Sequence, residues 1–397
     1  MNLQAISYIN KNSPGGDERM QVTEEGAKPN GKRSKLKRPI IDCDIHHYTG
    51  FDVLKPYLPR AYRELIHTYG KAMPGGMHFN GGVGGRMVDS LPPDGGPAGG
   101  NLEYMREHHL DPNNIHYGIL TGESLGVQGT INFDYAAACC SAYNDYTIDH
   151  WLAKDSRLKG SIMIPKQDPI QAAKEIDRVG GRSDMVQVLV QNGAFFPYGN
   201  RYYYPIYEAC VRHHLPFTIH VSGEGSGMNA QPTGAGHVTH YAEARAARPQ
   251  VMMAHVASFI FEGVFERFPT LKVVLQEAGV FWIVPYLWRL DQDWKSLRVQ
   301  TPWVQKKPSE YFRENFRVTT QPIEETPNLE VFKHMMDSLH AKETMMYCSD
   351  YPHWDYDSPL LALPRMEEEL AHRVYYQNAA DLYNLPPYQP EEKEERV

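Results

Sequence analysis

From residue 39 onward, short runs of β-branched and apolar residues recur, each followed by a longer stretch in which apolar positions repeat with helical period. That alternation predicts parallel strands laid edge to edge with helices outside them. Eight strands are predicted, at 40–46, 116–121, 159–164, 185–191, 216–221, 271–277, 316–320 and 345–349. They fit an α/β fold, a (β/α)8 TIM-like barrel, and because a plain barrel takes about 250 residues this chain carries insertions. The largest is a long Gly/Pro-rich insertion after the first strand, 74–100, a composition that neither helix nor strand tolerates. A loop in that position lies at the C-terminal mouth of a barrel, so 74–100 is predicted to be a substrate lid, with Arg86 and His78 placed to hold a substrate carboxylate. No linker divides the alternation, which sets one barrel domain at 39–385. A flexible polar N-terminal segment, 1–38, precedes it, and a disordered acidic tail, 386–397, follows.

Composition then limits the partners. The chain has 397 residues, 42% hydrophobic and 22% charged, enough apolar bulk for a large core. Its net charge is −8, and residues 1–39 hold eight basic side chains against four acids, so the remainder carries −12. An acidic body is a poor match for nucleic acid. The five cysteines form no CxxC pair, which argues against a disulfide framework or a zinc knuckle and suits a cytoplasmic setting. No apolar run approaches the roughly 20 residues of a bilayer span, and the N-terminus lacks the apolar core of a signal peptide, so no membrane association is expected. The aromatics of 200–207 are read either as packing or as the interface of a homo- or hetero-oligomer.

Reactive groups in a parallel barrel come from the C-terminal ends of its strands. The first strand, within RPIIDCDIHHY, sets Asp44 and His46 two residues apart, which puts both on one face and within reach of one ion. The fifth predicted strand runs to His220, the sixth to Glu277, and Asp350 follows the eighth. Any one of these alone reads as a surface or capping residue. Together, five ionisable groups converging on one mouth carry a desolvation and repulsion cost that a cation removes. A divalent ion is therefore predicted, with Asp44, His46, His220, Glu277 and Asp350 as ligands. For Glu277 the competing assignment is a salt bridge to Arg289 or Arg267. His255 shares a helical face with Phe259 and Glu262 and is either a packed histidine or a catalytic, proton-relaying one. His47 points away from His46 by strand alternation and reads as packing or as support for a ligand. His353 and Asp355, in the loop after Asp350, are placed to touch substrate or a second ion.

Several phrases carry a family resemblance: IDCDIH at 41–46, YYYPIYEAC at 202–210 leading into PFTIH at 216–220, GVFERFPTLKVVLQEAG at 263–279, YLWRLD at 286–291, CSDYPHWD at 348–355 and YQNAADLYNL at 376–385. Over residues 39 to 385 the sequence resembles the amidohydrolase-related metal-dependent enzymes, a branch of the amidohydrolase superfamily that contains hydrolases, decarboxylases and a few oxygenases. Family decarboxylases commonly carry His-x-His on the first strand and a His-Gly-Gly stretch after the sixth, where this chain has Asp44 and Glu277. The exchange of nitrogen for oxygen moves the preference from Zn towards Mn or Fe and supplies bridging oxygens for two ions. The resemblance implies an enzyme acting on a small organic substrate through metal-activated water, by hydrolysis or decarboxylation. Asp350 would be its base and Glu277 a ligand or second acid. The alternatives are a dinuclear Fe or Mn/Fe oxygenase, as in the aminoisobutyrate-hydroxylase-like outliers of the superfamily, and a non-catalytic partner subunit of a hetero-oligomer.

Overall fold

The computed structural model describes residues 38–70, 85–123, 125–222 and 233–387. His78, the first part of the glycine-rich insertion, the segment up to residue 37 and the tail from 388 lie outside the described residues. Eight strands, β1 (Ile40–Ile45), β2 (Ile115–Leu120), β3 (Leu158–Met163), β4 (Met185–Gln191), β5 (Phe217–His220), β6 (Val273–Gln276), β7 (Phe316–Thr319) and β8 (Met345–Met346), form one parallel sheet in chain order. Helices on the outside cover it, and most strand residues are buried, which is why the strands read as nearly unbroken apolar runs. The sheet meets itself through single contacts rather than a ladder. The Cys43 amide donates to Tyr347 O at 3.1 Å, the His46 amide donates to Tyr351 O at 2.7 Å, and Ile45 bridges Tyr351 in parallel. The architecture is the predicted (β/α)8 barrel.

Seven of the eight predicted strands run one to three residues past the observed ends, β4 alone agreeing, and at two sites the backbone turns out of the ladder. Glu277 and Asp350 have φ of 54° and 60°, a left-handed conformation that stops a strand and turns the residue out of the ladder. β6 therefore ends at Gln276, and the chain leaves β8 after Met346. β1 departs from regularity in another way. Asp42 pairs with Gly118 but Ile45 with Leu120, so β1 spends one more residue than its neighbour. Ile41 and Cys43 pack in a buried cluster with Ile119, Val186, Val274 and Met346, and after the bulge Asp44 and His46 face the mouth.

The described part of the insertion lies along that mouth. Arg86 bridges His353 in antiparallel fashion, the Met87 amide donates to Pro352 O at 3.0 Å, and the Trp354 amide donates to Gly85 O at 3.2 Å. Of the 200–207 aromatics, Tyr203 and Tyr207 are buried and Tyr202 and Tyr204 half-buried against the core, so packing accounts for them. Among the described residues, no helix is long and apolar enough to cross a membrane.

Gly99 shows how closely the insertion approaches the site. Its φ is +68°, the Tyr48 amide donates to its carbonyl at 2.9 Å, and a Cβ added to it would lie 2.4 Å from the carbonyl oxygen of His46. Gly99→Ala is expected to destabilise the protein by about 1–3 kcal/mol, read from the urea midpoint. An unchanged midpoint would show that the insertion moves away from His46 without cost.

Candidate metal centre

Four strand ends deliver the site. Asp44 and His46 come from the bulged end of β1, His220 is the last residue of β5, Glu277 follows β6, and Asp350 and His353 lie in the loop after β8. All but His353 are buried. His46 Nε2 is 3.2 Å from Asp44 Oδ1 and 3.0 Å from Asp350 Oδ1. His220 Nε2 is 3.3 Å from Asp44 Oδ2 and 3.5 Å from Glu277 Oε2. Ligand atoms of Asp44, His46, His220 and Glu277 all lie within 4.8 Å of one another, as do those of His46, Glu277, Asp350 and His353.

The hydrogen bonds around the cluster point to a cation. His46 Nδ1 is 2.5 Å from Gly122 O and His220 Nδ1 is 2.9 Å from Val221 O, so main-chain carbonyls hold the Nδ1 protons and aim both Nε2 atoms inward. Those two Nε2 atoms, Asp44 Oδ2 and Asp350 Oδ2 are buried without a hydrogen-bond partner. Leaving each unsatisfied costs about 1–3 kcal/mol, and a divalent ion among Asp44, His46 and His220 would satisfy three of them. Two imidazoles with hard carboxylates suit Mn, Fe or Zn. These residues fit such an ion.

The electrostatics agree. Burial raises the Asp44 carboxyl, but His46 and His220 outweigh it and hold that group below the usual carboxylate range. Burial lowers His46, yet Asp44, Asp350 and Glu277 together push it up to about 10, and Asp44 and Glu277 likewise raise His220. Burial and Asp350 raise Glu277 against the opposing charge of Arg248. Burial raises Asp350 although His46 opposes it. The acids around the imidazoles thus favour positive charge among them, the charge that a divalent ion would supply.

The remaining candidates fall in different places. Arg248 Nη1 is 2.7 Å from Glu277 Oε1, reaching in from the helix Tyr241–Phe261. This corrects the competing assignment, because Arg289 pairs with Asp293 and Arg267 with Glu208. His353 Nδ1 contacts Asp350 Oδ1 and its ring centroid is 4.1 Å from that of His46. Arg86 pairs with Glu123 at 2.8 Å at the edge of the mouth. Asp355 stands outside both ligand groups, paired with Arg245 and accepting from Gln321 Nε2 at 2.7 Å. His255 is the clearest correction. The Tyr198 amide donates to its Nδ1 at 3.1 Å, and its Nε2 is 2.7 Å from Asn192 O. With both ring nitrogens committed to the main chain, it braces the loop after β4 instead of relaying protons. His47 bonds Thr147 Oγ1 at 2.8 Å and packs on Trp151, the packing role anticipated for it.

One group escaped the sequence reading. Asp42 accepts from the Ser349 amide at 2.9 Å and the Ser349 hydroxyl at 2.6 Å, and its Oδ2 is 2.8 Å from His109 Nε2. It ties β1 to the residue before Asp350, across the seam where the strands form no ladder. The pattern IDCDIH shows two aspartates, but nothing near them in sequence marks His109 or Ser349 as partners. Beside Glu277 opens a cavity of about 370 Å³ whose lining includes Arg245, Arg248, Gly279, Ile323 and Glu324.

Three outcomes follow for variants. His220→Ala is expected to lose bound metal on dialysis, measured by elemental analysis. Asp42→Asn is expected to weaken metal affinity about 10–100-fold through misplaced Asp44 and Asp350, read by competition with a chelator. Burial lowers His255 to about 4, against an ordinary value of 6.5. Its contribution to stability is therefore complete above about pH 6.5 and lost as pH falls through 4. His255→Gln is expected to flatten the pH dependence of the urea midpoint over that interval, and an unchanged slope would assign the acid sensitivity to other groups.

The comparisons with known proteins agree with this geometry. The amidohydrolase family matches residues 41–385. The gamma-resorcylate decarboxylase of Polaromonas sp. (strain JS666 / ATCC BAA-500) is 24% identical over 303 residues, covering 72% of this chain and 88% of that protein. The gamma-resorcylate decarboxylase of Rhodococcus jostii (strain RHA1) is 25% identical over 276 residues, 64% of this chain and 78% of that one. Among solved structures, an amidohydrolase from Mycobacterium avium subsp. paratuberculosis K-10 superposes with a TM-score of 0.66 at 19% identity, covering 88% of this chain and 100% of that one. A dihydroxybenzoic acid decarboxylase from Polaromonas sp. JS666, with bound manganese and 2-nitroresorcinol, gives 0.60 at 18% identity, covering 88% and 97%. The matched span runs from the first strand to the last helix and takes in every ligand candidate, and the chain belongs to the amidohydrolase family of metal-dependent enzymes.

Proposed function

We propose that this enzyme removes carbon dioxide from a small hydroxy-aromatic acid. The observation that carries the reading is the cluster of unpartnered carboxylate and imidazole atoms beside a cavity flanked by Arg245 and Arg248. The activities named for its relatives support decarboxylation over both hydrolysis and the oxygenase alternative. The ligand set argues against a non-catalytic subunit, and five buried, unpaired thiols fit a reducing cytoplasm.

Asp44, His46, His220 and Glu277 would hold the ion, which supplies Lewis-acid polarisation of a substrate oxygen. The chain does the rest. Arg245 and Arg248 draw an anionic substrate into the cavity and offset the acids around it. Asp350 is the proton-transfer group, because its Oδ2 is buried beside the cluster and bonded to nothing else. In decarboxylation the proton goes from Asp350 to the ring carbon as the bond to the carboxylate breaks and carbon dioxide leaves. Gly122 O and Val221 O keep the two imidazoles aimed while this happens.

The test is carbon dioxide release from a panel of 2,6-dihydroxybenzoate and 5-carboxyvanillate, with aryl amides and esters as hydrolytic controls. Release is expected to need a divalent ion, to stop with a chelator and to return with Mn. Asp350→Asn is expected to lower turnover by about 10²–10⁴-fold. Hydrolysis of an amide or ester with no carbon dioxide from any acid would overturn the reading.

A further inference from the structure

We propose that a cavity at the N-terminal end of the barrel, away from the metal centre, binds a phosphate-type oxyanion. The inference rests neither on the metal nor on decarboxylation. The cavity holds about 580 Å³ and lies where β6 and β7 begin, beside the last helices of the described chain. Lys272 immediately precedes β6 and Arg317 is the second residue of β7, while Arg373 and Asn378 belong to the segment after β8. Glu277, at the metal centre, follows the other end of β6.

Cations and acids both line this cavity, but they do not pair off. Arg313 donates to the two oxygens of Glu343 at 2.5 and 2.6 Å, Arg373 reaches Asp381 at 3.0 Å, and Glu314 turns to Lys306 at 2.5 Å. Lys272 and Arg317 bond only to main-chain carbonyls among the described residues. Lys272 Nζ donates to Glu314 O at 2.7 Å, and Arg317 Nη1 donates to Phe316 O at 2.6 Å and to Arg313 O at 3.3 Å. Two of these carbonyls end the helix Pro308–Asn315, where a cation is favourable. That role leaves two protons of the ammonium group, and the Nε and Nη2 protons of the guanidinium, without an acceptor.

Both cations are half-buried, and their charges oppose one another. Burial lowers Lys272 below the ordinary lysine value and Arg317 adds to that, while burial lowers Arg317 against the pull of Glu343. An oxyanion bound by the two relieves the repulsion, and a guanidinium fork beside an ammonium point charge suits a phosphoryl group. Arg373 adds a third donor, because its bonds to Lys342 O and Asp381 use Nε and Nη1 and leave Nη2. Asn378 favours a ligand that also carries a proton. It is 2% exposed, its Nδ2 donates to Ala341 O and Met345 O, and its Oδ1 has no donor. The hydroxyl of hydrogen phosphate supplies one and sulfate does not. Bound there, the anion ties the starts of β6 and β7 to the helix Asn378–Tyr383, whose Ala379, Ala380 and Tyr383 pack with Ile41 and Val274.

The experiment titrates the full-length, metal-loaded protein with inorganic phosphate, glycerol phosphate and sulfate at constant ionic strength, reading calorimetric heat and hydrogen exchange. Phosphate is expected to bind more tightly than sulfate and to slow exchange over 378–383. Tighter binding of glycerol phosphate assigns the site to the phosphoryl group of a small metabolite, and the reverse order assigns it to the free ion. Arg317→Gln is expected to weaken phosphate binding by about 10–100-fold. His220→Ala is expected to keep this binding and its protection of 378–383, which separates the site from phosphate held by the metal. The proposal is overturned if phosphate does not bind, if sulfate binds as tightly, or if folded Arg317→Gln binds phosphate like the parent. Should Arg317→Gln fail to fold, Lys272→Gln carries the same comparison. Because no substrate is involved, the outcome stands apart from the decarboxylation assay.

Discussion

Asp42 holds the barrel shut. Every other neighbouring pair of strands is joined by a ladder, but β1 and β8 meet through a few main-chain contacts, and the Asp42 carboxylate adds a charged link across that seam to the Ser349 amide and hydroxyl. Two residues beyond Asp42 is Asp44, and one beyond Ser349 is Asp350. The same bond that closes the sheet therefore sets the separation of two ligands from opposite ends of the chain. His109, stacked on Tyr351 and directed at Asp42, makes this acid a buried three-way junction whose partners are all ordered by packing.

The closure could not be made by regular pairing. A strand that continued through Asp44 and His46 without the bulge would place one set of side chains in the barrel floor and the other against the helices. The extra residue in β1 lets Cys43 keep its place in the buried cluster while Asp44 and His46 turn to the mouth. Glu277 and Asp350 reach the same point by a different device, the left-handed turn at the end of β6 and after β8. Both devices spend backbone order on aiming carboxylates, and both lie on the side of the barrel where charge must be gathered.

The predicted strands were legible because a parallel barrel buries both faces of its sheet, which leaves apolar runs that no solvent-facing alternation interrupts. Asp44 and His46 were legible for a weaker reason: their spacing is right for a regular strand, and the bulge brings them to the mouth by another route. The end of β6 was misplaced where φ turns positive at Glu277, a residue type that does not announce such a turn, whereas Asp350 belongs to a type that often adopts it. His255 stayed open between packing and proton relay because helical period gives the face of a residue and not its partners, and those partners are carbonyl and amide groups of a distant loop. Arg248 gave no signal at all. It lies 29 residues from Glu277, and only the folded chain brings its guanidinium to that carboxylate.

Arg248 also explains how an imidazole-to-carboxylate exchange at the sixth strand is tolerated. A carboxylate at that position adds a full negative charge to a pocket that already holds two, in surroundings where an unpaired buried charge costs several kcal/mol. Three such groups would repel one another and swing apart if the metal were their sole counter-charge. The guanidinium takes one oxygen of Glu277 and leaves the other turned towards His220, so the third acid is both neutralised and oriented. Because Arg248 and Arg245 line the same cavity and Arg245 is paired with Asp355, each cation near the mouth is balanced by an acid of the chain itself.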